Sequence, residues 1–249
     1  MGNIFPRWSN TVPVKVIIGL GMVAGGVAAG INYYGSPKYM RAGYQPTQPV
    51  SYDHGFHVGE LGLDCRYCHH GVDKAAHAGV PSANVCMTCH KGIQAEAPSL
   101  QAVRESYYGE DANRDGKLSE GEDLDGDGRI TQGAPVPWIR IHKTPDYAYF
   151  NHAVHVNRGV SCVECHGRVD QMKEVYHAKH LSMAFCLDCH RNPEKALRPL
   201  DSVTDLGWSA VSGKDAEPEA TAAAQLEVGA KLQGNWNVHP PTSCTTCHR

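Results

Sequence analysis

Ten cysteines form five Cys-x-x-Cys pairs along this chain, and a histidine directly follows each pair. The cysteines are Cys65, Cys68, Cys86, Cys89, Cys162, Cys165, Cys186, Cys189, Cys244 and Cys247, and the histidines are His69, His90, His166, His190 and His248. Cys-x-x-Cys-His is typical of covalent haem attachment. A short helical turn holds both thiols at one edge of a porphyrin and brings the histidine beneath the iron as its proximal ligand. The sequence therefore predicts five haem c groups.

Three other uses of paired cysteines fit this pattern less well. Disulfide bonds do not require a histidine after every pair. Structural zinc sites use Cys-x-x-Cys in twos, whereas five is an odd number. Thioredoxin-like redox motifs occur singly, in βαβ units.

The composition agrees with an interior filled by cofactors. The 249 residues include only 4 Phe and 4 Trp, so large apolar side chains are scarce and five porphyrins would replace them. Frequent glycine (26) and proline (15) favour short helices and turns. We therefore expect a mainly α fold with extensive loops and little sheet, organised by its haems. The net charge of −3 gives no indication of nucleic-acid binding.

An apolar segment near the N-terminus, residues 12–34, predicts a transmembrane helix. At about 1.5 Å per residue it can cross a hydrocarbon core of about 30 Å. The competing interpretation is a cleaved signal peptide with its apolar region at 16–29. We expect a retained single-pass anchor in the inner (cytoplasmic) membrane. Because Arg7 and Lys15 precede the uncharged run at 16–31, the N-terminus should stay cytoplasmic and the haem domain should lie on the periplasmic side.

The motifs belong to an internal repeat. Tyr52-Asp-His54-Gly-Phe-His57 precedes the first two motifs, and Phe150-Asn-His152-Ala-Val-His155 precedes the third and fourth. The fifth motif is a C-terminal addition. We divide the chain into four parts: an anchor segment at 1–50, a two-haem module at 51–96, an insertion at 97–137 and a three-haem module at 138–249.

The insertion resembles a calcium-binding loop. Residues 111–122 match an EF-hand loop, with Gly116 at the sharp turn. Its candidate ligands are Asp111, Asn113, Asp115, Lys117 (through its carbonyl), Ser119 and Glu122. A second, incomplete loop begins at once and lacks the twelfth-position Glu, since Ala134 stands there. Its candidates are Asp123, Asp125, Asp127, Arg129 and Thr131. The alternative is an acidic solvated loop.

Ten further histidines are available as distal iron ligands. Two histidines at i and i+3 lie on one side of a helix and can point at two different irons. We expect His54, His57, His152 and His155 to be distal ligands, and His142 to be the fifth. His239 and Met183 are the reserves. Iron with two protein ligands has no open position for a substrate, so such haems transfer electrons.

The motifs and their flanking segments resemble the multihaem cytochrome subunits of bacterial quinol-linked complexes. The residues that carry this resemblance are Tyr52–His69, Val80–His90, Trp138–Gly167, Leu181–Pro193 and Pro240–Arg249. Five motifs behind one N-terminal span look most similar to the pentahaem cytochrome subunit of alternative complex III. The calcium-loop insertion departs from the usual pattern of that family.

This resemblance implies an electron-transfer subunit that is not catalytic by itself. The complex would oxidise quinol, with menaquinol expected, in integral membrane subunits. An iron–sulfur subunit would pass electrons to the haems, and a periplasmic cytochrome c, a blue-copper protein or a terminal oxidase would accept them. Two alternatives stay open: a self-sufficient multihaem quinol dehydrogenase, and a multihaem reductase of a small oxyanion, which would need a five-coordinate haem.

Overall fold

The computed structural model of the protein describes residues 6–36, 39–119, 121–123, 126, 128–211 and 217–248. Within these ranges the chain is mainly helical and has no β-sheet; one antiparallel bridge joins Val160 to Leu197. This confirms the predicted fold class. The helices are α1 (Val12–Tyr34), α2 (Cys65–Cys68), α3 (Ala83–His90), α4 (Gln101–Tyr108), α5 (His152–Val156), α6 (Cys162–His166), α7 (Met183–Arg191), α8 (Pro218–Asn235) and α9 (Cys244–Cys247). Short 3₁₀ turns lie at Arg7–Thr11, Pro98–Leu100, Val169–Gln171, Pro193–Lys195 and Leu200–Ser202, and a π-helical turn at Gly55–Glu60.

Helix α1 has the bounds predicted for the membrane span. Pro13 stands in its first turn, where a missing N–H costs nothing, and the helix ends at Gly35. No residue of α1 is buried against the rest of the chain. With the preceding turn it forms a 28-residue helical segment whose apolar 18-residue stretch has a mean hydropathy of 2.0, long and apolar enough to cross a membrane.

Each motif lies on a short helix that begins at a capping residue. Asp64, Ser161 and Ser243 directly precede the first cysteine of the first, third and fifth motifs. Ser82 and Ser182 cap α3 and α7 four residues before the second and fourth motifs. Asp and Ser suit this position because their side chains can accept a free N–H of the first turn. The local sequence therefore accounts for where these helices begin. The helices of the first, third and fifth motifs are short, and those of the second and fourth are longer.

The apolar core is small among the described residues. The buried hydrophobic residues are Val50, Val72, Met87, Val103, Met172, Ala196, Leu197, Val203, Leu206 and Val238. One cluster of them, Val50, Met87 and Val103, holds α4 of the insertion against α3 of the second motif. The motif cysteines, by contrast, are all partly or fully exposed. A small apolar core with accessible cysteines is the arrangement expected if covalently attached groups fill the rest of the interior.

The stretch before the fifth motif is rich in Ala, Glu and Gln, which is compatible with either a polar helix or a linker, and it forms helix α8. This helix packs on the Pro193–Lys195 turn that follows the fourth motif. The Gln225 amide donates to the carbonyls of Glu194 (3.3 Å) and Leu197 (2.8 Å). Gly229 lies so close to the Glu194 backbone that a side chain at that position would overlap it. Helix α8 thereby fixes the path of the chain toward the fifth motif.

Candidate functional site

Hydrogen bonds orient four of the five motif histidines so that the Nε2 atom is available to bind a metal ion. In these four the Nδ1 atom bonds a backbone carbonyl, and each distance is 2.7–3.1 Å. The pairs are His69 with Gly79, His90 with Ile93, His190 with Pro241 and His248 with Tyr147. Donation of Nδ1–H fixes the tautomer in which Nε2 carries a free lone pair. The remaining Nε2 is then the iron ligand.

The two repeat segments hold their histidines in the same geometry. The Tyr52 ring meets His54 edge-on, with centroids 4.6 Å apart, and stacks on His57 at 4.4 Å. Phe150 does the same to His152 and His155, at 4.8 and 4.4 Å. The Nδ1 atoms of His57 and His155 bond the carbonyl four residues earlier, each at 2.8 Å. The aromatic residue of each copy therefore orients both histidines.

Three of these histidines lie opposite motif histidines at a distance that fits one metal ion between them. The ring centroids of His57 and His90, His152 and His166, and His155 and His190 are 6.3, 6.4 and 6.1 Å apart. A first-row ion binds imidazole nitrogen at about 2.0–2.1 Å, so two imidazoles on one ion have centroids roughly 6.3 Å apart. The residues present thus fit a six-coordinate haem iron at three motifs.

Burial keeps the imidazoles of these sites neutral. It lowers the pKa of His152 and His155, and it lowers that of His166 to about 4. The pKa of His54 also falls to about 4, first through burial and then through the neighbouring His69. A metal-binding imidazole must be unprotonated, so low pKa values favour ligation at neutral pH. In the repeat, His54 corresponds to His152, and its neighbour His69 corresponds to His166. By analogy with the His152–His166 pair, His54 is paired with the first motif.

His142 lies against the third motif. Its ring meets the His166 ring edge-on at 4.2 Å and the ring of His177 at 5.1 Å. These distances are too short for a shared iron. Its Nε2 atom is buried without a hydrogen-bond partner, and burial lowers its pKa to about 3. His142 therefore contacts a proximal ligand directly, and its proposed role as the fifth distal ligand stays a prediction.

The fifth motif is supported by the segment that follows His142. His248 bonds the Tyr147 carbonyl, and the rings of these two residues lie 5.7 Å apart. The N–H of Tyr149 donates to the Cys247 carbonyl at 2.8 Å. The reserve candidate His239 uses Nε2 to bond the Asn237 side chain at 3.0 Å, and Met183 is exposed.

The structure disfavours the zinc interpretation of the cysteine pairs. Within the described part of the chain, no group of three or more His, Cys, Asp or Glu side chains converges on a common point, either at the cysteine pairs or in the predicted calcium loop. Burial raises the pKa of Cys165 to about 12 and raises that of Cys189, so neutral thiols are favoured there. Zinc sites need clustered thiolates.

The first predicted calcium loop has an internally bonded conformation. Asp111 and Glu122 are buried, and Gly116 has a φ of +75° at the turn. The carboxylate of Glu122 accepts the N–H groups of Asn113 (3.1 Å) and Ser119 (2.9 Å), which lowers its pKa. Asp115 and Lys117 are exposed.

The second calcium loop is described only in part. The Asp123 carboxylate accepts the N–H of Gly128 at 3.1 Å, and Arg129 and Thr131 are exposed. Asp125 and Asp127 lie outside the described residues.

Two features were not predicted from the sequence. His177 is fully buried beside His142, although its position nine residues before Cys186, like that of His77 before Cys86, was visible in the repeat. Arg198 is 5% exposed, and its guanidinium pairs with the Glu164 carboxylate at 2.9 Å inside the third motif. No sequence pattern marks this long-range pair.

Comparison with known proteins finds two families in separate parts of the chain. The class III cytochrome c family matches residues 34–114, which hold the first two motifs. The family of cytochrome c7 and related cytochromes c matches residues 148–249, which hold the other three.

Two individual relatives agree with these matches. The multihaem cytochrome c subunit of the menaquinone reductase of Nitratidesulfovibrio vulgaris is 23% identical over 223 residues, which are 90% of this chain and 86% of the relative. Cytochrome c-552 of Desulfotalea psychrophila is 32% identical over 92 residues, which are 34% of this chain but only 18% of that protein.

Proposed function

We propose that this multihaem cytochrome c is the membrane-anchored electron-transfer subunit of a complex that exchanges electrons with menaquinone. The observation that carries the proposal is the set of three histidine pairs spaced at 6.1–6.4 Å across the motif helices. Iron held between two imidazoles has no open position, so it suits electron transfer rather than substrate chemistry. Haem bound there would supply one-electron redox chemistry, and the chain's own residues orient its ligands.

We propose five haem c groups, one at each motif. The Nδ1 bonds of His69, His90, His190 and His248 support four proximal ligands, and His166 completes the set through its pairing with His152. We assign His54, His57, His152 and His155 as distal ligands of the first, second, third and fourth motifs.

The N-terminal helix supports an anchor in the inner membrane. Arg7 precedes α1, Lys15 lies in its first turn and the motifs follow it, so the haem domain is proposed to lie on the periplasmic side. Protease treatment of spheroplasts tests this orientation. We expect degradation of the haem domain from outside while α1 remains in the membrane, and protection of the haem domain would contradict it.

We propose alternative complex III as the specific assembly, on the flanking segments named above. Its partners would be an iron–sulfur subunit, integral membrane subunits, and a periplasmic cytochrome c, blue-copper protein or terminal oxidase as acceptor. In this assignment menaquinol is oxidised elsewhere in the complex and the haems become reduced.

A second candidate is favoured by the name of the relative that covers most of the chain, a menaquinone reductase subunit. In that case electrons would flow from the haems toward menaquinone. Purification of the native membrane complex discriminates the two. Reduction of the haems by added menaquinol supports the first, whereas oxidation of prereduced haems by added menaquinone, with no reduction by menaquinol, supports the second. A lone subunit with neither reaction would contradict both.

We also propose a structural calcium ion in the loop at 111–122. The burial of Asp111 and Glu122 beneath exposed backbone turns supports it. The ion would stabilise the insertion, which packs on the second motif through α4 and α3.

A further inference from the structure

We infer that the five attachment motifs are arranged in space in the order second, first, third, fourth, fifth. This order differs from the order in sequence, because the second motif and not the first stands at one end. The inference rests on the proposed haem attachment and deepens it, since the two end motifs become the sites at which partner proteins would exchange electrons.

The second motif contacts the first through their helices. The hydroxyl of Tyr67, inside the first motif, bonds the Thr88 hydroxyl inside the second at 2.8 Å. Burial raises the pKa of Tyr52, and the neighbouring thiols of Cys68 and Cys86 raise it further. The attachment sulfurs of these two motifs therefore share one neighbourhood.

The first motif contacts the third across the boundary between the repeats. The thiols of Cys65 and Cys162 are close enough to perturb each other: their interaction raises the pKa of Cys65 and lowers that of Cys162. The loop at 203–204 lies beside both motifs, since Val203 O accepts the Ser161 hydroxyl at 2.6 Å and Thr204 O lies 4.0 Å from the Cys65 sulfur.

A second set of bonds joins the same two motifs on the histidine side. The backbone N–H and the Nδ1 atom of His152 both lie near Ala76 O, at 3.1 and 2.9 Å. The Asn157 amide donates to Asp73 O at 2.8 Å. Ala76 and Asp73 belong to the loop after the first motif, whereas His152 faces His166 of the third. The helix that serves the third motif is thus fastened to the first.

The third motif contacts the fourth, and the fourth contacts the fifth. Helix α5 places His152 opposite His166 and His155 opposite His190, so one helix serves both motifs. Cys165 lies close enough to Cys186 and Cys189 for both to raise its pKa.

At the far end, His190 Nδ1 bonds Pro241 O at 2.7 Å, three residues before the fifth motif. The neighbouring Cys247 likewise raises the pKa of Cys186, after burial. The bonds described above join consecutive members of the proposed order.

Two matched haem deletions in the full-length, detergent-solubilised protein test the order. One variant is C65A/C68A and the other C86A/C89A, and pulsed EPR of the oxidised protein measures the spin–spin couplings between neighbouring haems. The first variant should lose two nearest-neighbour couplings, because its motif is interior. The second variant should lose one, because its motif is terminal. The reverse pattern, expected if the motifs followed sequence order, or equal losses would overturn the inference.

Haem counting separates this result from the proposed function. A pyridine haemochrome assay should give five haems in the unaltered chain and four in each variant. Absence of haem from the unaltered chain would contradict the proposed function. A normal haem count with the reverse coupling pattern would contradict only the spatial order.

Cross-linking that leaves all motif cysteines intact tests the order even if a deletion variant fails to fold. The Asp73→Cys/Asn157→Cys variant joins the first and third motifs, and Lys91→Cys/Asn157→Cys, whose new thiol lies outside the attachment motif, is the matched pair between the second and third. A short bismaleimide should link the former pair and leave the latter unlinked. Linkage of the latter pair only would overturn the order.

Discussion

The buried ion pair between Arg198 and Glu164 offers a sharp test of how the motifs are held together. Arg198 also donates to Asp205 O at 3.1 Å and stacks over Trp208, with 5.1 Å to the ring centroid. These contacts fix the loop that lies between the first and third motifs. Arg198→Met keeps an unbranched, flexible stem but removes the guanidinium, which leaves the Glu164 carboxylate without its cation.

The size of the effect follows from burial. Removing one partner of a buried pair costs about 3–5 kcal/mol. Because the Glu164 side chain is 34% exposed, solvent screens part of the charge, and we expect the lower end, about 3 kcal/mol. For 150–250 residues, about 2–4 °C of Tm corresponds to 1 kcal/mol, which predicts a fall of about 6–12 °C.

The double variant Arg198→Met/Glu164→Gln is the matched control. Replacing both charges removes the uncompensated carboxylate, so most of the lost stability should return. Burial raises the pKa of Glu164 by more than Arg198 lowers it, so the net pKa is raised. A carboxyl with a raised pKa costs the folded state stability as the pH rises through that pKa. The defect of the single variant should therefore shrink in acid. Thermal unfolding followed by circular dichroism measures all three proteins, and a single variant as stable as wild type would refute this reasoning.

Three further predictions concern the ligands and the calcium loop. His155→Ala should convert about one fifth of the haem from low spin to high spin, since one of five irons loses its distal ligand; EPR checks this, and an unchanged low-spin signal would exclude His155. Burial lowers the pKa of His54 to about 4, which keeps its imidazole neutral and able to bind iron at neutral pH. Acid should release this ligand, so the Soret circular dichroism of wild type should change on acidification and that of His54→Met should change less, whereas identical pH profiles would contradict the assignment. Calcium should raise the Tm and a chelator lower it, while Asp111→Asn should abolish both effects; a calcium response that survives in Asp111→Asn would place the ion elsewhere.

The local elements of this protein were predictable because their causes are local. Val12–Tyr34 is an uninterrupted apolar run, and the structure gives a helix with the same bounds. The spacing of Leu100, Val103 and Tyr107 predicts a helix over 99–108, and the structure has a 3₁₀ turn leading into α4 there. Likewise the spacing of His54 and His57 matches that of His152 and His155, and both segments have the same aromatic contacts.

The arrangement of the motifs could not be predicted, because it depends on contacts between distant residues. Nothing near Cys65 indicates that Cys162 lies beside it, and Arg198 meets Glu164 across 34 positions. The position of His142 is a similar case. No nearby residue indicates that its ring lies 4.2 Å from that of His166. Packing between the repeats decides such positions, and a local pattern does not record it.

The most direct test of the central claim is the mass of the intact chain purified from its native membrane, combined with a metal analysis. The account predicts a polypeptide heavier than its 249 residues by five covalently bound haems, with five irons and no stoichiometric zinc. A polypeptide at its unmodified mass, with ten titratable thiols or with bound zinc, would contradict it.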